Sequence, residues 1–134
     1  MTKKVRAVIY DFKDNVPYFL ILHRILRWTG WEILKETMGK EENIEQTLKR
    51  GIKEETGISN FEIIKDLNKT ELWKVDNNEY KIVATFLVKA DMNEKISLKQ
   101  EIIEHDEYKW VNKEEAIEKL SWPEIKQLIQ EIKI

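Results

Sequence analysis

Two adjacent carboxylates, Glu54 and Glu55, stand in the run Arg50-Gly51-Ile52-Lys53-Glu54-Glu55-Thr56-Gly57-Ile58, one helical turn beyond an arginine and a glycine. Paired carboxylates on a helix suit a hard divalent cation such as Mg²⁺, which takes oxygen ligands and keeps several of its waters. An ion held there neutralises phosphate oxygens and activates water. Upstream lie Arg24, Arg27 and Lys35, candidates to grip phosphates, a contact to which the arginine fork is well suited. Taken alone, a Glu-Glu pair in a chain that is 36% charged reads first as solvated helix surface.

Patterning indicates the elements that must position these groups. Val5 to Tyr10 reads as a strand, followed by a polar turn at Lys13-Asp14-Asn15. Tyr18 to His23 is nearly continuously apolar and β-prone, the signature of a central strand pairing back on the first. Arg24 to Gly30 reads as a loop. Asn43 is an N-cap for a helix running to about Thr56, with Ile44, Leu48 and Ile52 forming one buried stripe and Gly57 stopping it. Phe61 to Val75 and Tyr80 to Ala90 read as a β-hairpin around Asp76-Asn77-Asn78. Glu107 to Val111 reads as a short strand. Lys113 to Leu120 and Pro123 to Ile132 read as helices. Strands, helix, strands, helices in that order predict an α+β fold, an α/β/α sandwich with a mixed sheet.

Composition narrows the function classes. A length of 134 residues is that of one domain, spanning 1–134. The absence of cysteine removes disulfides, zinc–thiolate sites and cysteine nucleophiles. No apolar run is long enough to span a membrane, and Met1-Thr2-Lys3-Lys4 does not open a signal peptide, so a cytoplasmic location is expected. The net charge of −2, with both signs interspersed, argues against binding to duplex nucleic acid.

The acidic run also resembles the Nudix box, G-x5-E-x7-R-E-U-x-E-E-x-G-U, where U is a bulky aliphatic. With Arg50 on the arginine, Glu42 takes the first glutamate, Ile52 the aliphatic position, Glu54 and Glu55 the paired glutamates, Gly57 the second glycine and Ile58 the last aliphatic. Trp31-Glu32-Ile33-Leu34-Lys35 is similar to the W-E-L-P-K that often precedes the box. Glu104-His105-Asp106-Glu107-Tyr108-Lys109-Trp110-Val111 resembles the E-H-x-x-Y-x-W of the diadenosine tetraphosphate hydrolase branch. The resemblance implies a hydrolase that cleaves a pyrophosphate linkage in a nucleoside diphosphate linked to another moiety. It implies Mg²⁺, with Mn²⁺ as the alternative ion, and a nucleotide partner. A dinucleoside polyphosphate is the first substrate to try, with nucleoside triphosphates, ADP-ribose and RNA 5′ ends also open. The chain is expected as a monomer or homodimer. Arg50, Glu54, Glu55 and Glu104 are the implied catalytic residues, with Glu101 and Glu107 as rivals to Glu104. Arg24, Arg27, Lys35 and Tyr108 are the candidate substrate contacts. His105 reads as a hydrogen-bonded structural or substrate-edge residue rather than a metal ligand, His23 as a satisfied core or rim histidine, Trp31, Trp110 and Trp122 as core, and Trp28 as an exposed loop aromatic.

Two positions depart from the box. Glu36 stands where the first glycine belongs, and Gly51 where a glutamate follows the arginine. Positions 51, 54 and 55 share a helix face, so one of three clustered acids is lost. Glycine within a helix costs about 1 kcal/mol relative to alanine. If residue 36 keeps a left-handed backbone, Glu36 costs about as much again. Drift to an inactive domain, deliberate substitution, and compensation are the alternatives; under compensation Glu36 joins Glu54 and Glu55 as a metal ligand. The rival to the enzyme is an impaired Nudix domain that binds a nucleotide or partner without turnover. A structural domain without ligand is the third reading.

Overall fold

The computed structural model describes residues 1–134. Eight strands form one mixed sheet and three helices cover it, the α+β architecture expected. Strand β1 (Thr2–Lys13) is its axis: β2 (Val16–Arg24) and β4 (Leu34–Thr37) pair with it antiparallel, and β7 (Asn78–Ala90) pairs with it in parallel. β8 (His105–Asn112) lines the edge of β2 away from β1, and β3 (Gly30–Glu32) pairs with Leu22 to Arg24 on the opposite edge, beyond the end of the β1 pairing. On the far side of β7 lie β5 (Phe61–Asp66) and β6 (Glu71–Val75).

Alternation within the central strands sorts side chains to the two faces. Val5, Ala7 and Ile9 of β1 join Leu48 and Ile52 of α1 (Ile44–Thr56) in one core. Val8 and Tyr10 join residues of α2 (Lys113–Lys119) and α3 (Pro123–Glu131) in the other. Because both faces are covered, Phe19 to Leu22 are all at most 2% exposed, which is why the strand reads as an unbroken apolar run. The Asp14-Asn15 turn has both residues at positive φ, as a two-residue hairpin requires.

Three expectations are corrected. The first arm of the hairpin is two strands. Asn68 at φ 57° and the bond from Leu67 N–H to the Thr85 carbonyl (2.8 Å) break it between β5 and β6. Arg24 ends strand β2 rather than opening a loop. Trp122 is 44% exposed, because it lies just outside α3 and meets Trp28 edge to face at 5.1 Å.

Helix α1 begins with a reciprocal cap. The Asn43 side chain accepts from Gln46 N–H (2.8 Å), and the Gln46 side chain accepts from Asn43 N–H (2.9 Å). It ends at Gly57, whose φ of 73° is left-handed and whose N–H reaches the Lys53 carbonyl. A Cβ there meets only ordinary contacts at 3.6 Å, so the cost of one is conformational. Gly57→Ala is expected to destabilise by about 1 kcal/mol; an unchanged melting temperature would refute this.

Candidate active site

The site forms where β4, the loop after it and α1 converge. Strand β4 carries Glu36 toward the helix, and the loop from 38 to 43 brings Glu42 back over its first turns. Glu42 accepts from Gly39 N–H (2.8 Å), Thr47 Oγ1 (3.2 Å) and two Arg50 nitrogens, Nε (2.7 Å) and Nη2 (2.8 Å). Those arginine bonds, more than any other contact, pull the Glu42 carboxyl down to about 2. Arg50 also donates to the Thr37 carbonyl (2.7 Å). Its Nη1 lies 3.2 Å from Glu54 and 3.3 Å from Glu36. One guanidinium therefore ties strand, loop and helix together through three carboxylates.

Glu55 has the opposite surroundings. It is 2% exposed, and its Oε2 has no hydrogen-bond partner. Burial drives its carboxyl well above the ordinary 4.5, reinforced by a hydrogen bond with Glu104 and the negative charges of Glu36, Glu104 and Glu32. Glu55, Glu104 and His105 each present one ligand atom within 4.8 Å of the others. Burial also raises Glu36, and the nearby Arg50 offsets this only in part. The difference between the paired glutamates follows from helix spacing. Glu55 is three residues beyond the buried Ile52, whereas Glu54 is four beyond Arg50 and 53% exposed.

Beside the acids lies Glu32, which in the sequence stands out only as part of the run before the box. It is 4% exposed and accepts from Arg24 Nη1 (3.0 Å) and His105 Nε2 (2.8 Å). Burial pushes its carboxyl up, but the His105 bond and the charges of Lys35 and Arg24 carry it below the ordinary range. Nε2 is engaged by Glu32, and the buried Nδ1 of His105 has no hydrogen-bond partner. The structural reading of His105 therefore covers one ring nitrogen only. An acid inside the otherwise apolar run Trp31-Glu32-Ile33-Leu34 is the signal that marks Glu32 in the sequence.

The expected substrate contacts separate. Arg24 is 8% exposed, and its guanidinium donates to Glu32 and to the Leu26 carbonyl. Arg27 is exposed and makes no ion pair. Lys35 lines a cavity of about 420 Å³ with Arg6, Glu32, Trp28, Trp73 and Trp122, on the sheet face that α3 covers. Tyr108, 38% exposed, lines a second and more open cavity of about 650 Å³ with Lys95 and Lys99. Glu101 and Glu107, the rivals to Glu104, are exposed. His23 is a rim residue, 2.6 Å from Asp106 and packed on Trp31. Glu36 lies in β4 and is not among the residues at positive φ, so the expected strain is absent.

The family profile for the NUDIX domain matches residues 2–132. No curated protein matches the sequence. Among solved structures, a C. elegans Ap4A hydrolase binary complex superposes with a TM-score of 0.85 at 23% identity, over 97% of this chain and 93% of that one. The E. coli dihydroneopterin triphosphate pyrophosphohydrolase gives 0.75 at 17% identity, over 97% and 93%. The NUDIX domain of Shewanella oneidensis NrtR, complexed with ADP ribose, gives 0.68 at 19% identity, over 96% and 83%. At these identities the three share the fold. No helix is long and apolar enough to cross a membrane. With its profile match running nearly end to end and a mixed sheet between helices, this chain belongs to the Nudix family.

Proposed function

We propose that the protein is a divalent-metal-dependent hydrolase of a pyrophosphate linkage in a nucleoside diphosphate derivative, with a dinucleoside polyphosphate as the first substrate. The observation that carries this is Glu55: a buried carboxylate with an unpartnered oxygen, beside Glu104 and His105. Such a group is costly alone and is relieved by a cation. Oxygen donors suit Mg²⁺, with Mn²⁺ the alternative. Glu55 and Glu104 would hold the ion from the inside and Glu54 from the solvent side. The ion would neutralise phosphate oxygens and make bound water a better nucleophile. Arg50 keeps strand, loop and helix in register, and the Glu32–His105–Arg24 network fixes the floor. Lys35, which lines the tryptophan cavity and lies 3.8 Å from Glu32, would meet a phosphate whose nucleoside enters that cavity. Arg27 is free for an outer phosphate, and Tyr108 for a second nucleoside.

The test is a panel of dinucleoside polyphosphates, nucleoside triphosphates, ADP-ribose and 5′-triphosphorylated RNA, with Mg²⁺, Mn²⁺ or a chelator. Metal-dependent release of nucleotide is expected and should disappear with the chelator. No product from any substrate would overturn the enzyme reading. The missing carboxylate at Gly51 favours a second reading, a domain that binds a nucleotide without turnover. Calorimetric binding in the absence of product would establish it. Base stacking on an aromatic ring is worth about 1–3 kcal/mol. Trp122→Ala is therefore expected to raise KM about tenfold or more, with a smaller effect on kcat. Equal KM values would remove the tryptophan cavity from the substrate path.

A further inference from the structure

The two departures from the box meet in space. Glu36 lies on β4, opposite Val5 of β1, and its side chain crosses to α1. A Cβ built on Gly51 would fall 2.7 Å from Glu36 Cβ, 2.9 Å from its Cγ and 3.4 Å from its Oε2. The first two distances are too short for real atoms, and the crowded groups are the stem of Glu36, which cannot swing aside as a chain end can. Glu36 thus fills the volume in which any side chain at 51 would begin. Its carboxylate stays at the site: Oε1 is 3.3 Å from Arg50 Nη1 and accepts Thr37 N–H at 3.0 Å, and its charge is among those felt by Glu55.

We propose that positions 36 and 51 have exchanged roles. Glu36 delivers from the strand the carboxylate that a residue at 51 would deliver from the helix, and Gly51 is small because Glu36 needs its space. Glu36 is then a functional acid of the metal site, an assignment that rests on the hydrolase reading. The steric coupling does not rest on it.

Four variants test both parts. Glu36→Gln keeps the stem and removes the charge. It is expected to lower kcat about 100-fold, the scale of losing one preorganised electrostatic contact. It should also weaken Mn²⁺ binding, read by electron paramagnetic resonance, about tenfold or more. Gly51→Glu alone is expected to lower the melting temperature of the metal-free protein by roughly 5 °C or more through overpacking. Glu36→Gly alone should fold and lose both metal affinity and turnover. The double variant Glu36→Gly/Gly51→Glu should regain the parent melting temperature, Mn²⁺ affinity and turnover to within about tenfold. Parent-like kcat and Mn²⁺ affinity in Glu36→Gln would overturn the functional exchange. A double variant no better than Glu36→Gly in affinity, or no more stable than Gly51→Glu, would overturn the coupling. If the parent itself hydrolyses nothing, the hydrolase reading fails, while the melting and Mn²⁺ measurements still decide the exchange.

Discussion

Glu55→Gln should abolish metal-dependent turnover and at the same time make the metal-free protein more stable. The loss of kcat is expected to be about 100- to 1000-fold, because a negative charge at the centre of the acidic cluster is removed. The gain in stability has a separate cause. An ionised carboxylate that is 2% exposed, has an unpartnered oxygen and faces Glu36, Glu104 and Glu32 destabilises the fold. Removing the charge is expected to return about 1–3 kcal/mol, or several degrees in melting temperature. The sign with pH follows from linkage. The folded protein holds the Glu55 proton to a pH well above 4.5, whereas the unfolded chain releases it near 4.5. Folding therefore takes up a proton in that window. The contribution of Glu55 to stability is most favourable below 4.5 and declines as pH rises toward the folded value, and the same direction holds for Glu36. Calorimetry in chelator should show the melting temperature of the parent falling with pH above 4.5, and a shallower fall in Glu55→Gln. Saturating Mg²⁺ should raise the parent more than the variant. A variant that melts below the parent in chelator would show that the carboxylate has a stabilising partner and would remove the main support for a cation site.

Arg50→Ala is expected to have the second largest effect, and to act on kcat more than on KM. The guanidinium holds Glu42 with two nitrogens, reaches the Thr37 carbonyl and lies within 3.3 Å of both Glu54 and Glu36. Without it three carboxylates lose their common cation, and the loop from 38 to 43 loses its tie to the helix. A misplacement of about 1 Å in a catalytic group costs on the order of 100-fold, so a loss of about 100-fold or more is expected. Arg50→Lys should recover little, because an ammonium cannot reproduce the fork that engages Glu42 and the Thr37 carbonyl together. The Glu42 carboxyl is held at about 2, so this tie is complete above 4.5 and is lost only as pH falls from there toward 2. Steady-state kinetics on both variants provide the check. A lysine variant with parent-like kcat would reduce the role of Arg50 to net charge.

The helix of the site was legible because its signals are local. Asn43 caps it, Gly57 ends it, and Leu48 and Ile52 mark the buried face, all within the span of α1. Central strands were legible for a related reason: burial on both faces leaves an unbroken apolar run at Phe19 to Leu22. The break at Leu67 to Thr70 was not, because it depends on a hydrogen bond to Thr85 on a strand that arrives later in the chain.

From its own residues the chain specifies a Nudix domain, a helix with two acids at its end, and the two places where the box is altered. Tertiary structure decides which of those acids is buried without a partner and which is exposed beside Arg50. It also buries Arg24 against Glu32, and forms a cavity lined by Trp28, Trp73 and Trp122. In the sequence, Glu36 and Gly51 are two departures from the box that compensation could link, with nothing to say that they touch. The contact between β4 and α1 shows that a glutamate at position 51 alone would collide with Glu36. The physical reason is that periodicity tells which face of an element turns inward, whereas the packing of one element on another tells what it meets there.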